Sequence, residues 1–114
     1  MVGHIDTVWA GVTDMDRSVR FYTALIGQEP SYASAHWTAF RLGAVTLGLH
    51  ADMPGGAAGF VVSIEVADLE TAAHACKEAG GEADPEIHET PRGHVQMVFD
   101  PDRNRIQLFR AAAG

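Results

Sequence analysis

A chain of 114 residues, 46% hydrophobic and 20% charged, is the size of one ordinary domain and can bury a core without disulfides or a structural metal. Its formal charge of -7 argues against a nucleic-acid partner, whose phosphates are held by clustered Lys and Arg, and no run approaches the roughly 18 apolar residues of a membrane-spanning helix. The lone Cys76 has no internal disulfide partner, and the start MVGHIDTVWAGV lacks a basic region followed by an apolar stretch, so a reducing, cytoplasmic location is expected.

The first predicted element is a strand in which Val8, Ala10 and Val12 share one face while Thr7, Trp9 and Gly11 share the other. Asp14 then stands where a side-chain oxygen can accept from the free N–H groups of a helix start. Met15, Val19, Tyr22 and Ile26 recur at three or four residues and give that helix one apolar face, which ends at Gly27. Strand-like runs follow at 28–33, 36–42 and 45–50. The Gly-, Ala- and Pro-rich segment 51–59, ADMPGGAAG, reads as a linker.

The order then repeats. GVTDMDRSVRFYTALIG (11–27) can be laid under EVADLETAAHACKEAGG (65–81), with Val12 on Val66, Asp14 on Asp68, Met15 on Leu69 and Gly27 on Gly81, a constant offset of 54 residues. Val62, Ile64 and Val66 repeat the alternating strand, and Leu69, Ala72, Ala73 and Cys76 repeat the apolar helix face, closed by Gly80 and Gly81. Strand-like runs at 85–89, 94–99 and 105–110 complete the second copy. Each half therefore reads strand, helix, three strands: an α+β chain of two βαβββ modules, about 4–50 and 60–110, within a single domain spanning 1–114.

Two stretches carry a family likeness. GVTDMDRSVRFYTALIG resembles the V-x-D-x-x-x-S-x-x-F-Y-x-x-x-x-G helix signature of the vicinal oxygen chelate superfamily, and FDPDRNRIQLF (99–109) resembles its closing F-x-D-P-D-G-N-x-I-E-L motif. That superfamily includes glyoxalase I, extradiol dioxygenases, fosfomycin-modifying enzymes and bleomycin-binding resistance proteins, and the resemblance implies paired βαβββ modules around a shared cleft. It also implies a divalent metal held by His, Glu or Gln from the first and last strand of each module. Carried over position by position, those ligands fall on Thr7, on Thr46 or Gly48, on Val61 and on Gln107. Val and Gly offer no side-chain donor, Thr is a poor one, and Gln107 alone could coordinate, so no metal cofactor is expected.

The six histidines are the other source of ligands. His4 precedes the first strand and would need a register shift to point inward, while His74 and His88 read as solvated. His36, His50 and His94 lie at strand ends that line the cleft in this reading, and His50 is in phase with Thr46 and Gly48, opposite Val45, Leu47 and Leu49. A relocated site from His50, His94 and Glu65 has no spacing that marks it.

Without a metal, strand phase selects the residues offered to a ligand: Thr7, Trp9, Trp37, His50, Gln107 and Phe99. Tyr32, Phe40 and Met97 add candidate apolar surface, with Phe40 and Phe99 also suited to filling the core. Trp9 and Trp37 stand out, because an indole N–H is usually kept near a polar partner or the surface. Glu65 is the candidate catalytic acid or base, with a salt bridge to Arg41 or Arg105 as the structural reading of the same residue. In the closing stretch, Arg103 replaces the Gly of the family turn, so either the turn differs or Asn104 takes the left-handed position.

The expected function is that of a metal-independent binding protein, like the superfamily's drug-sequestering resistance members, holding an aromatic or amphipathic metabolite or antibiotic. The competing expectation is a lyase, isomerase or cyclase of the same superfamily that uses Glu65 or a His, with or without a relocated metal. The resemblance further implies a homodimer; the partner otherwise expected is a small molecule, with no nucleic acid and no membrane.

Overall fold

A computed structural model describes residues 3–51 and 59–113. The elements follow the repeat: β1 (His4–Gly11), α1 (Met15–Ile26), β2 (Tyr32–Ala33), β3 (Trp37–Leu42) and β4 (Val45–His50), then β5 (Phe60–Glu65), α2 (Leu69–Glu78), β6 (Glu82–Thr90), β7 (Gly93–Phe99) and β8 (Arg105–Ala111). The expected linker lies, apart from Ala51 and Gly59, outside the described residues. The chain divides into two compact units, one of residues 7–60 and one of residues 61–114 together with the first six. The first three residues of β1 thus belong with the second unit.

In the first unit the strand order is β2-β3-β4-β1, with β1 parallel to β4 and the remaining pairs antiparallel. A parallel pair cannot be closed by a tight hairpin, and α1, β2 and β3 supply the crossover. Asp14 caps α1 by accepting from the Arg17 N–H at 3.1 Å, and Gly27, at φ 81°, turns the chain out of the helix while its N–H donates to the Thr23 carbonyl at 2.9 Å. Ala10, Val12, Phe40 and Leu49 form the core beneath α1, joined by Met15, Val19, Tyr22 and Ile26 from the helix. Phe40 is completely buried there, so it fills the core instead of adding to a ligand surface.

The second unit repeats the plan in the order β5-β8-β7-β6, with β5 parallel to β8. Asp68 caps α2 by accepting from the Thr71 N–H at 3.0 Å and from the Thr71 hydroxyl. The core beneath α2 is Val66, Leu69, Ala72, Ala73, Val98 and Leu108, with Ile64, Cys76, Ala83 and Ile106 packed against it.

Three local departures have physical causes. The expected strand at 28–33 shrinks to Tyr32–Ala33, because Pro30 has no N–H to donate and the chain enters the sheet only where the Ser31 N–H reaches the Ala39 carbonyl at 2.8 Å. The expected strand at 85–89 lengthens to Glu82–Thr90 by accepting a register shift between Ala83 and Ile87, around Pro85 on the sheet's outer strand. In the turn after β7 it is Arg103, not Asn104, that adopts the left-handed conformation, at φ 69°. The Asp100 carboxylate fixes that turn by accepting from the Asp102 N–H at 2.9 Å, the Asn104 N–H at 2.8 Å and the Asn104 side-chain amide at 2.9 Å. These bonds, led by the Asn104 amide, hold the Asp100 carboxyl below its ordinary range. The Arg103 guanidinium lies over the Phe99 ring, 4.9 Å from its centroid, and pairs with Glu82 at 2.7 Å.

Candidate functional site

The face of the first sheet turned away from α1 carries the aromatic residues singled out by strand phase. Register places Thr7 beside Thr46, Trp9 beside Gly48 and Gly11 beside His50, while Trp37 pairs with His50 from the other side. The Trp9 and Trp37 rings meet edge to face, with centroids 6.2 Å apart. His50 stands 5.9 Å from Trp37 and 6.4 Å from Trp9. Three strands therefore deliver one ring each to a single cluster. Trp37 and His50 are half-buried, and Trp9 is only 8% exposed.

Gly48 makes this cluster possible. A Cβ at position 48 would lie 2.0 Å from Trp37 Cη2 and 2.5 Å from its Cζ2, closer than real atoms approach. A glycine inside a strand costs packing and conformational entropy, and here it supplies the floor on which an indole rests. The backbone of Trp37 is held by Ser34, whose hydroxyl accepts from the Trp37 N–H at 3.0 Å and donates to the Trp37 carbonyl at 2.9 Å. Trp9 departs from expectation: its Nε1 is buried with no hydrogen-bond partner among the described residues.

The corresponding face of the second sheet is built differently. Gln107 donates its side-chain amide to the hydroxyl of Ser63 at 3.0 Å, and Ser63 is fully buried. Met97 lies beside Gln107, and Phe109 lies beside Glu65 and Val95. Glu65 meets His4 at 3.6 Å, and the two side chains are 36% and 66% exposed, so this carboxylate is not enclosed by aromatic rings. Phe99 is half-buried beneath Arg103, and Phe109 is covered by Arg92 at 5.3 Å.

The model of the Glyoxalase/Bleomycin resistance protein/Dioxygenase superfamily matches residues 2–108. The chain belongs to that superfamily. Among solved structures, Streptomyces coelicolor methylmalonyl-CoA epimerase in complex with 2-nitronate-propionyl-CoA is similar at 19% identity and a TM-score of 0.73, over 96% of this chain and 98% of that one. A hypothetical protein from Bacillus halodurans C-125 matches at 13% identity and a TM-score of 0.79, over 100% and 98% of the two chains. A superfamily member from Vibrio splendidus 12B01 matches at 18% identity and a TM-score of 0.71, over 97% and 100%. At these identities the likeness is one of fold. No curated protein matches the chain.

Internal symmetry removes the ambiguity over the superfamily's metal-ligand position on β4. Gln107 pairs with Ser63 in the second sheet, and Gly48 pairs with Trp9 in the first. Trp9 and Ser63 are equivalent at the offset of 54 residues, so Gly48 and not Thr46 is the counterpart of Gln107. The residues at these positions do not fit a metal. Gly48 has no donor and its space is taken by the Trp37 ring, Val61 is fully buried hydrocarbon, Thr7 is 7% exposed, and the Gln107 amide is turned to Ser63.

The other histidines sort by face and exposure. His94 falls in phase with Gln96 and Val98 on the α2 side, opposite the strand-end cleft position expected for it, and its Nδ1 lies 2.8 Å from Nη2 of Arg110. His94 and Glu65 thus occupy opposite faces of one sheet and cannot share a ligand. Among the described residues no group of three His, Cys, Asp or Glu side chains is arranged to hold a metal. His74 and His88 are exposed, beside Glu78 at 3.6 Å and Glu86 at 3.3 Å. Tyr32 and His36 are exposed as well. Sequence reasoning missed Gly48 as a platform and Ser63 as the partner of Gln107. The first had a readable signal, since a glycine inside an alternating strand marks a close approach.

Proposed function

We propose that this chain is a small-molecule binding member of the superfamily that works without a divalent metal and takes a flat aromatic or amphipathic metabolite or antibiotic against Trp9, Trp37 and His50. The observation that carries this reading is the seating of the Trp37 ring on Gly48, the place from which a metal ligand would project. An aromatic surface suits flat ligands, because edge and face contacts add to the gain from apolar burial. Ser34 supports the reading by pinning the backbone that presents Trp37.

The chain contains two tryptophans, both in the cluster, so its fluorescence reports on this site without a background from elsewhere. Protein purified without added metal is titrated by calorimetry with zinc, cobalt and nickel, and by fluorescence with a panel of aromatic natural products. The expected outcome is quenching by a subset of compounds recovered unchanged, with no tight stoichiometric metal binding. Tight metal binding at unit stoichiometry would overturn the metal-free part. Return of chemically altered compound would favour the lyase, isomerase or epimerase class, for which the methylmalonyl-CoA epimerases of like fold are the precedent and Glu65 beside His4 the candidate acid/base pair.

A further inference from the structure

The indole nitrogen of Trp9 is a buried donor with no acceptor among the described residues. Leaving such a group unpaired costs about 1–3 kcal/mol, and native structures seldom carry one without a reason. The residue is more than nine-tenths buried and belongs to the three-ring cluster, whose two other members are half-buried. We propose, building on the binding reading above, that the Trp9 N–H is the polar selector of this site, and that the ligand is a flat ring system bearing a neutral carbonyl oxygen.

Three features point to that chemistry. Indole nitrogen can only donate, so the complementary group must be an acceptor. A neutral acceptor is favoured because Arg41, the permanently cationic side chain on this strand face, is exposed and directs its Nε to the Gly43 carbonyl at 3.0 Å instead of into the cluster. Burying an anion without a paired cation is costly, whereas a carbonyl gains one hydrogen bond and loses little solvation. Entry is by way of Trp37. To admit a ligand its half-buried ring must turn off Gly48 and out of its contacts with Trp9 and His50. The ring system then stacks where Trp37 and Trp9 met, and its oxygen accepts a hydrogen bond from the Nε1–H.

The test compares fluorene with 9-fluorenone, two flat tricycles that differ by one carbonyl, on the whole chain and on Trp9→Phe, which keeps a ring and removes the N–H. Calorimetry on the native chain should show 9-fluorenone binding at least about tenfold tighter than fluorene, a difference of about 1.4 kcal/mol. In Trp9→Phe the two affinities should fall within about twofold of each other, whatever the change in stacking common to both, a net hydrogen bond being worth about this much. In the native chain the Trp9 indole proton, assigned by its persistence in Trp37→Phe, should move downfield on adding 9-fluorenone and not on adding fluorene, a readout that does not depend on the Trp9 variant folding. Equal affinities in the native chain, or a preference that survives Trp9→Phe, would overturn the selector role and leave the aromatic site standing. Failure of both tricycles to bind, with no movement of either indole signal, would overturn this inference, whereas the binding reading falls only if the wider aromatic panel also gives no quenching.

Discussion

The two modules use one plan for opposite ends. Both cap a helix with Asp, Asp14 in the first and Asp68 in the second, both run their outer strands parallel, and both bury an apolar helix face against four strands. On the sheet face turned from the helix, the first module offers Trp9, Trp37 and His50 around Gly48, whereas the second closes the matching pair with a Gln107–Ser63 hydrogen bond. Beneath the helices the two modules differ in side-chain size. Tyr22 and Ile26 fill the space under α1, but the residues 54 positions later are Cys76 and Gly80. A largely apolar cavity of about 390 Å³ remains under α2, lined by Ile64, Val66, Ala72, Cys76, Ile106 and Leu108 among others. The first module has a cavity of its own, about 460 Å³ beside Met15, Val19, Ala33 and Thr38, so neither helix closes completely on its sheet.

The largest expected effect comes from breaking the aromatic cluster at its floor. Gly48→Ala puts a Cβ inside the Trp37 ring, and overpacking of this kind costs about 1–3 kcal/mol, so the thermal midpoint should fall and ligand quenching should weaken at least about tenfold. Combining it with Trp37→Ala should restore most of the stability and none of the binding. A Gly48→Ala protein with native midpoint and native quenching would mean that Trp37 does not rest on this glycine.

Filling the cavity should sharpen the contrast from the other side. Cys76→Leu adds apolar volume where the first module has Tyr22, and cavity-filling changes commonly gain about 0.5–2 kcal/mol. The midpoint should rise while quenching of the two tryptophans stays as it was. Lowered stability would show that the space under α2 cannot accept a branched side chain.

The smallest effect concerns acid. Asp68 is held below its ordinary carboxyl range by the Thr71 hydroxyl and then the Thr71 N–H, and Asp100 by the Asn104 amide and then the Asn104 N–H. In both, the unfolded chain binds the proton more readily than the folded one, so their contribution is complete above an ordinary value of 3.8 and fades as pH falls through the lower folded values. Both groups are exposed, so the loss is modest and partly screened by salt. Thermal midpoints measured from pH 5 down to pH 2 should fall below about pH 3.9, less steeply in Asp100→Asn, whose side chain carries no titrating carboxyl. An identical slope in native and variant proteins would remove Asp100 from the account.

Much of this architecture is legible in neighbouring residues. The two apolar helix faces, both Asp caps, the alternation of Val8, Ala10 and Val12, and the Gly27 terminator follow from spacing within a few positions, where helix and strand periods act directly. Strand phase also put Trp9 and His50 on the face opposite the apolar strand residues, and the structure has them there, while the pairing of Trp37 with His50 is what brings Trp37 to the same face. What it could not say is how far they would lie from one another, because that depends on cross-strand register between segments up to 41 residues apart, from Trp9 to His50.

The amino-acid sequence by itself determined the repeat, the elements and the choice of faces, since each rests on local periodicity and capping. Tertiary structure alone decided that Trp37 lies on Gly48, that Trp9 ends with a buried N–H unpaired among the described residues, and that Gln107 turns to Ser63. It also decided that His94 goes to the helix side and that Arg103 takes the left-handed turn with Asp100 holding the loop around it. Each of these depends on which side chain a neighbouring strand or loop brings within about 4 Å, a distance at which packing and hydrogen bonding act but over which residue spacing carries no information.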